Sequence, residues 1–239
     1  MTIKYFFIIL ILCQVMTQKI QSQNWSEFAN IDRYEKANKG IILDLKTKNR
    51  VVFIGNSITE DWALLRPEFF KGKNYINRGI SGQTTPQMLL RFRQDVIDLN
   101  PKVVVILAGT NDIASNTGYT SIETIIGNIK SMAEIADANG IKVIISSILP
   151  AIDYLWARGL NPGPKIISIN KVLKIYTQQN NFIYLDYFST MVDGKGGLKV
   201  PDYTAANDLV HPNKNGYLVM EKLAEKSIKK ALSEEESPN

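Results

Sequence analysis

Ser57 and His211 are the two residues of this sequence best suited to nucleophilic chemistry. Ser57 follows the apolar run 51–54 and a glycine, where a buried strand would end and a helix begin. His211 is the only histidine among 239 residues, and it comes three residues after Asp208. A carboxylate this near can accept a hydrogen bond from the imidazole, which leaves the other ring nitrogen free to take a proton from a serine hydroxyl. These residues therefore predict a serine nucleophile with a histidine base.

Each candidate also has an ordinary structural explanation. A serine at the start of a helix is commonly its N-cap. A lone histidine usually lies on the surface or in a satisfied core. Asn111 and Asp112, which follow the third apolar run, are by themselves typical of a turn or a cap. The positions of these residues relative to the predicted sheet have to decide between the two explanations.

Acyl transfer also needs hydrogen-bond donors that face the developing oxyanion. The backbone N–H groups of Ser57 and Gly82 are available if both loops turn toward the same point. Glycine allows a substrate to approach the backbone closely. The side-chain amide of Asn111 adds two further donor hydrogens.

Strands and helices are predicted to alternate along the chain. Strands are predicted at 51–55, 74–77, 102–107, 142–147 and 182–186. Helices are predicted at 25–48, 59–65, 86–99, 120–139, 165–180 and 212–231. This alternation predicts an α/β fold with a five-stranded parallel sheet and helices on both faces. Ligands bind at the carboxyl ends of such strands, where Ser57, Gly82, Asn111 and the loop after the fifth strand are expected to meet.

Four short blocks of sequence carry a resemblance to a known family. They are Gly-Asn-Ser at 55–57, Ser-Gly-Gln-Thr at 81–84, Gly-Thr-Asn-Asp at 109–112, and Asp-x-x-His-Pro at 208–212. In that order they resemble the blocks of the SGNH (GDSL-like) hydrolases, over roughly residues 50–225. The pattern is similar to platelet-activating-factor acetylhydrolase-like members and bacterial carbohydrate acetylesterases. The resemblance implies a flavodoxin-like three-layer sandwich and a serine esterase that needs no cofactor and no metal.

The resemblance also implies a role for each matched residue. Ser57 becomes the nucleophile and one oxyanion donor, with Gly82 and Asn111 as the other donors. His211 becomes the general base and Asp208 its partner. Two positions depart from the family pattern. Asn56 replaces the aspartate of Gly-Asp-Ser, a change shared by many esterase members, and Leu209 replaces a common glycine, which predicts an altered loop before His211.

Other classes of protein lack their defining residues. An α/β-hydrolase elbow requires Gly-x-Ser-x-Gly, but Thr59 occupies the position of the last glycine. Neither a dinucleotide-binding glycine pattern nor a P-loop is present, and zinc catalysis lacks ligands. The net charge of +5 includes no basic stripe with interleaved aromatics, so nucleic-acid binding has no support. A non-catalytic carbohydrate-binding module on the same scaffold is the alternative outside enzymes.

The N-terminal segment differs from the rest of the chain. Lys4 precedes an apolar run at 5–12, and a polar stretch follows at 17–24. This order predicts a signal peptide at 1–23, followed by one hydrolase domain at 24–239 that is secreted or periplasmic and not inserted in a membrane. A membrane anchor is the alternative. Cys13 suggests a lipoprotein, but Leu12 is bulky where a small residue is expected.

The substrate is less defined than the chemistry. We expect a short acyl ester, in particular an acetyl ester, on a carbohydrate, with a lysophospholipid or short-chain lipid ester as the alternative. The loop at 149–164 leaves the fourth strand at its carboxyl end and contains Tyr154, Trp156 and Arg158. Trp156 and Arg158 are candidate substrate-binding residues, although Trp156 could instead pack in the core. The sequence does not indicate an oligomeric state.

Overall fold

A parallel β-sheet forms the centre of the fold. The structure is a computed structural model and describes residues 24–44 and 46–233. Within these residues the strands are β1 (Val51–Gly55), β2 (Tyr75–Gly79), β3 (Val103–Leu107), β4 (Lys142–Ser146) and β5 (Ile183–Leu185). They lie side by side in the order β2-β1-β3-β4-β5, and every neighbouring pair is parallel. Each strand overlaps a predicted one, and the predicted five-stranded parallel sheet is confirmed.

The strand order creates a crevice at the carboxyl end of β1. The chain passes from β1 to β2 on one side and then crosses to β3 on the other side. Gly55 at the end of β1 is in register with Gly79 of β2 and Leu107 of β3. The loops that leave these three strands therefore start at the same level of the sheet. Such a switch point is where open α/β sheets bind their ligands.

Helices cover both faces of the sheet. They are α1 (Trp25–Ala29), α2 (Glu35–Leu43), α3 (Ser57–Leu65), α4 (Pro67–Phe70), α5 (Thr85–Asp95), α6 (Thr110–Ile113), α7 (Ile122–Ala138), α8 (Pro162–Gln179), α9 (Tyr187–Met191) and α10 (Lys214–Ser233). Because parallel crossovers are right-handed, the opposite directions of the β1–β2 and β2–β3 connections put α3 and α5 on opposite faces. The predicted three-layer flavodoxin-like sandwich is confirmed. No helix in the described ranges has the length and apolar character needed to span a bilayer.

The first part of the chain differs from the prediction of one helix at 25–48. The structure has α1, a 3₁₀ helix at Ile31–Tyr34 and then α2, which ends at Leu43. Asn30 adopts a left-handed conformation with φ 50° and ends α1, so a continuous helix is wrong. Asparagine tolerates this conformation better than most residues. The predicted signal peptide at 1–23 lies outside the described residues.

An aromatic cluster joins α3 to the last helix. The ring of Trp62 on α3 stacks on Tyr217 of α10, with ring centroids 5.7 Å apart. The Tyr217 hydroxyl donates to the backbone carbonyl of Ile58, 2.8 Å away. On the next turn of α10, Glu221 accepts two hydrogen bonds from Arg66 at 2.9 and 3.0 Å. These contacts fix the start of α3 relative to the segment that precedes α10.

A buried arginine holds the ends of β1 and β2 together. Arg91 on α5 donates to the carbonyls of Gly55 and Arg78 at 3.1 and 2.9 Å. Its other nitrogens donate to Gln83 at 2.6 Å and to the carboxylate of Asp95 at 2.8 Å. The Arg91–Asp95 pair is almost completely shielded from solvent. A buried guanidinium is tolerated only when its donors are satisfied, as they are here.

We expect Arg91→Met to lower the free energy of unfolding by about 3–5 kcal/mol, because it leaves the buried Asp95 carboxylate without its cation. Guanidinium denaturation of the purified variant measures this change. Arg93→Met is the matched control, since Arg93 lies on the same helix with 68 % of its side chain exposed. The control should change stability by less than about 0.5 kcal/mol. Equal losses in the two variants would contradict the assigned role of Arg91.

Candidate active site

The predicted site residues meet around a cavity at the carboxyl edge of the sheet. The cavity has a volume of about 370 Å³. It is lined by Ser57, Asp61, Ser81, Gly82, Asn111, Asn116, Trp156 and His211. A larger cavity of about 500 Å³ lies beside β5, and none of the predicted site residues lines it. In the described part of the chain, no three His, Cys, Asp or Glu side chains are grouped so that they could hold a metal ion.

Ser57 is the first residue of α3. Asn56 is the N-cap of this helix, and its side-chain oxygen accepts from the backbone N–H of Ile58 at 3.0 Å. The predicted helix start at residue 59 and the alternative role of Ser57 as N-cap are therefore both wrong, and the Ser57 side chain is free of a capping role. A Cβ on Gly55 would overlap the Thr59 side chain, so only glycine fits before the turn. Asn56, which replaces the aspartate of the family's Gly-Asp-Ser block, thus caps α3.

His211 lies between Ser57 and Asp208. Its Nε2 is 2.9 Å from the Ser57 hydroxyl oxygen, and its Nδ1 is 2.9 and 3.0 Å from the two carboxylate oxygens of Asp208. Asp208 also accepts from the backbone N–H groups of Val210 and His211. Burial works to raise the pKa of Asp208, but these hydrogen bonds and attraction to His211 outweigh it and lower the pKa below the ordinary value. The carboxylate therefore stays ionised when it faces the imidazole at neutral pH.

Leu209 keeps the loop in a conformation that glycine would adopt easily. Its φ is +70°, in the left-handed region. For a residue with a Cβ this conformation costs roughly 1–2 kcal/mol. The leucine was expected to alter the loop before His211, but the contacts between Asp208 and His211 are at normal hydrogen-bond distances. The change from glycine is accommodated as backbone strain and not as a lost hydrogen bond.

The loops after β2 and β3 are fastened to each other beside Ser57. The side-chain amide of Asn111 donates one hydrogen bond to the carbonyl of Gln83, 3.0 Å away. An amide nitrogen carries two hydrogens, so this bond orients the group and leaves its second hydrogen for the cavity. Gly82, the preceding residue, has φ +77°, which a glycine adopts without strain. The two predicted donor positions, Gly82 and Asn111, are thus held by a direct contact between their loops.

Asn116 is a cavity residue that the sequence analysis missed. Its side-chain nitrogen donates to the carbonyl of Gly82 at 3.2 Å, and its side-chain oxygen accepts from the indole N–H of Trp156 at 3.1 Å. Asn116 therefore connects the wall of the cavity to the Gly82 loop. The only available signal was its position five residues after Asn111 in the same connection.

Trp156 forms a wall of the cavity and is not part of the core. Its side chain is 48 % exposed, and its ring lies 6.2 Å from the ring of His211. The core position in this loop belongs to Tyr154, which is completely buried and stacks under Trp156. The alternative of a core tryptophan is therefore wrong. Arg158 is exposed farther along the loop and is not among the residues that line the cavity.

The fold and the site together define a class of protein. A flavodoxin-like sheet with serine, glycine, asparagine and aspartate–histidine blocks in this order is the arrangement of the SGNH-type hydrolases. Residues 53–219 match the profile of the GDSL-like lipase/acylhydrolase family. The chain belongs to this family, which places it among the carboxylic ester hydrolases.

Two solved structures and one curated protein are similar to this chain. An acylhydrolase-like protein from Bacteroides fragilis is 49 % identical with a TM-score of 0.82, covering 85 % of this chain and 98 % of its own. An acetylxylan esterase from Geobacillus stearothermophilus shares the fold at 17 % identity and a TM-score of 0.62, covering 77 % and 96 % of the two chains. An uncharacterised lipoprotein of Bacillus subtilis is 38 % identical over 81 residues, a match that spans a third of each protein.

The backbone strain at Leu209 predicts that glycine is more stabilising than alanine at this position, the reverse of the usual order. We expect Leu209→Gly to be more stable than Leu209→Ala by about 1 kcal/mol, because only glycine adopts φ +70° without strain. The free energies of unfolding from urea denaturation measure the difference. The control pair is Leu218→Gly and Leu218→Ala on α10, where alanine should be the more stable by about 1 kcal/mol. The same order at both sites would show that the Leu209 backbone is unstrained.

Proposed function

We propose that the protein is a serine esterase that cleaves short-chain esters, in particular acetyl esters of carbohydrates, through an acyl-enzyme on Ser57. The observation that carries the proposal is the continuous line of contacts from the Ser57 hydroxyl through His211 to Asp208, at 2.9, 2.9 and 3.0 Å. These are hydrogen-bond distances, and a general base must lie within this reach of the proton that it takes.

The proposed reaction has two steps. Ser57 Oγ attacks the ester carbonyl while His211 Nε2 takes its proton, and His211 then gives that proton to the departing alcohol. A water molecule, deprotonated by His211, hydrolyses the acyl-enzyme and restores Ser57. Asp208 orients the imidazole and stabilises its charged form. The backbone N–H groups of Ser57 and Gly82 and the free amide hydrogen of Asn111 are the proposed donors to the oxyanion.

The lining of the cavity favours a short acyl group. In the described part of the chain, Trp156 is the one large apolar side chain that lines it, and the other lining residues are mainly serine, asparagine, aspartate and histidine. A long hydrocarbon chain would need several large apolar side chains along its length, because its burial supplies the binding energy. The volume of about 370 Å³ accommodates an acetyl group and part of the alcohol.

The exposed tryptophan favours a carbohydrate as the alcohol part. Trp156 presents its ring at the mouth of the cavity and is fixed there by Asn116 and by the underlying Tyr154. A rigid indole face is an effective platform for a sugar ring, since it buries area without losing conformational entropy. The acetylxylan esterase that shares the fold acts on such an ester. The family description, which includes lipases, keeps a short-chain lipid ester as the competing substrate.

We also propose that the protein works outside the cytoplasm. The positive, apolar and polar order of residues 4–24 supports export. Acetylated polysaccharides are extracellular polymers, so this location agrees with the proposed substrate.

We expect Ser57→Ala and His211→Ala each to lower kcat on p-nitrophenyl acetate by about 10⁴-fold or more, because the two residues act as one unit. Ser81→Ala is the matched control: Ser81 lines the same cavity but hydrogen-bonds to Glu60 and not to His211. Its loss should stay below about tenfold. Steady-state kinetics with circular dichroism of each variant checks the result. Substantial turnover by folded His211→Ala would rule out the proposed mechanism.

We expect Trp156→Ala to lower kcat/KM on acetylated xylo-oligosaccharide by about tenfold or more and on p-nitrophenyl acetate far less, because binding of the non-reacting sugar contributes to the transition state. Trp156→Phe keeps an aromatic ring but loses the hydrogen bond to Asn116. Its kcat/KM on the xylo-oligosaccharide should therefore lie between those of the native enzyme and Trp156→Ala. Tyr119→Ala is the control, since Tyr119 is 88 % exposed and does not line the cavity. Faster hydrolysis of lysophospholipid than of any acetylated sugar would instead favour the lipid alternative.

A further inference from the structure

The cavity contains a carboxylate to which the proposed mechanism assigns no role. Asp61 lies on α3 four residues after Ser57, and residues with this spacing share one face of a helix. It lines the cavity together with Ser57 and His211. An ester that fills this cavity therefore places part of its structure near Asp61.

The carboxylate of Asp61 has no hydrogen-bond donor within residues 24–44 and 46–233, unlike the other acids near the site. Glu60, the preceding residue, is bonded to Arg33 at 2.8 Å and to the backbone N–H of Ser81 at 2.8 Å. Asp208 is bonded to His211. Burial raises the pKa of Asp61, attraction to His211 opposes this, and the charges of Glu60 and Asp208 add to the increase. A partly buried carboxylate without a protein donor has its acceptor oxygens available for a ligand.

The charges around the cavity are also one-sided. Asp61 is among the residues that line it, and Asp208 stands directly behind His211. Among the described residues, neither lysine nor arginine is in the lining. A substrate with a carboxylate or phosphate near its ester would meet the Asp61 carboxylate, with no lysine or arginine in the described lining to bind the anion. Like charges at such short range repel strongly where water is partly excluded. A hydroxyl group would instead donate to Asp61.

We propose that Asp61 is a specificity-determining residue, which accepts a hydrogen bond from a hydroxyl group of the alcohol part and excludes anionic esters. This inference rests on the proposed function and defines its substrate class further: acetyl esters of neutral sugars, and not of uronic acids, sialic acids or phospholipids. The chemistry of the reaction is unchanged, since Asp61 contacts the substrate away from the ester carbonyl.

The test compares two substrates that differ only in charge. They are an acetylated methyl xyloside and the corresponding acetylated methyl glucuronoside, with the acetyl group at the same ring position. We expect the native enzyme to prefer the neutral ester by at least tenfold in kcat/KM. Asp61→Asn should reduce this preference at least tenfold and should lower kcat/KM on the neutral ester, because an amide is a weaker acceptor than a carboxylate. Asp61→Ser should show the same loss of preference without an isosteric side chain.

Asp137→Asn is the matched control, since it removes the same charge from an exposed position at the end of α7, on the opposite edge of the sheet. Its preference should equal that of the native enzyme. Raising the ionic strength should weaken the preference of the native enzyme and leave that of Asp61→Asn unchanged. A preference that is the same in Asp61→Asn and in the native enzyme would overturn the proposal. An equal loss on both esters, with a shifted pH profile, would also overturn it, because Asp61 would then act through His211.

A binding measurement separates this inference from the proposed function. Calorimetric titration of the two sugars into Ser57→Ala reports affinity without turnover. Tighter binding of the neutral sugar, abolished in Ser57→Ala combined with Asp61→Asn, supports the role of Asp61 even if the native enzyme fails to hydrolyse these esters. Equal affinity for both sugars in Ser57→Ala overturns it, whatever the outcome of the kinetics with p-nitrophenyl acetate.

Discussion

The site edge of the sheet depends on one buried cation, the guanidinium of Arg91. It donates to the carbonyls of Gly55 and Arg78, near the carboxyl ends of β1 and β2, and to the side chain of Gln83 in the next loop. The donors of a guanidinium lie in one plane at fixed angles, so they hold these groups at fixed relative positions. A buried polar group left without a partner costs about 1–3 kcal/mol, so the loss of any one of these hydrogen bonds would destabilise the fold. The turn from β1 to Ser57 is therefore oriented by a residue that does not line the cavity.

The site also requires that segments from near the two ends of the domain's sequence lie together. Ser57 and His211 are 154 residues apart in sequence and 2.9 Å apart in space. Because one follows the first strand and the other precedes the last helix, their distance depends on how α3 and α10 pack. The stacking of Trp62 on Tyr217 and the hydrogen bond from Tyr217 to Ile58 fix that packing a few residues from both reactive groups. Stability and the proposed catalysis thus share the same contacts.

Most of the sheet could be predicted because its strands are apolar on both faces. The runs at 51–55 and 102–107 have no polar periodicity, which is typical of central parallel strands. Helix boundaries were less predictable, since they depend on single polar contacts. Asn30 divides the expected first helix, and Asn56 takes the cap that a nucleophile at Ser57 leaves free. Neither can be recognised from hydrophobic patterning, because both act through backbone conformation and local hydrogen bonds.

The sequence by itself determined the positions of the strands along the chain and the residue types at their ends, since local hydrophobicity and the four polar blocks are properties of neighbouring residues. Only the tertiary structure decided which side chains share the cavity. It brought Asn116 and Asp61 to the site, placed Trp156 at its wall and left Arg158 outside. It also showed that Leu209 adopts a glycine-like backbone without loss of the Asp208 contact. These outcomes depend on distances between segments far apart in the chain, which no local pattern encodes.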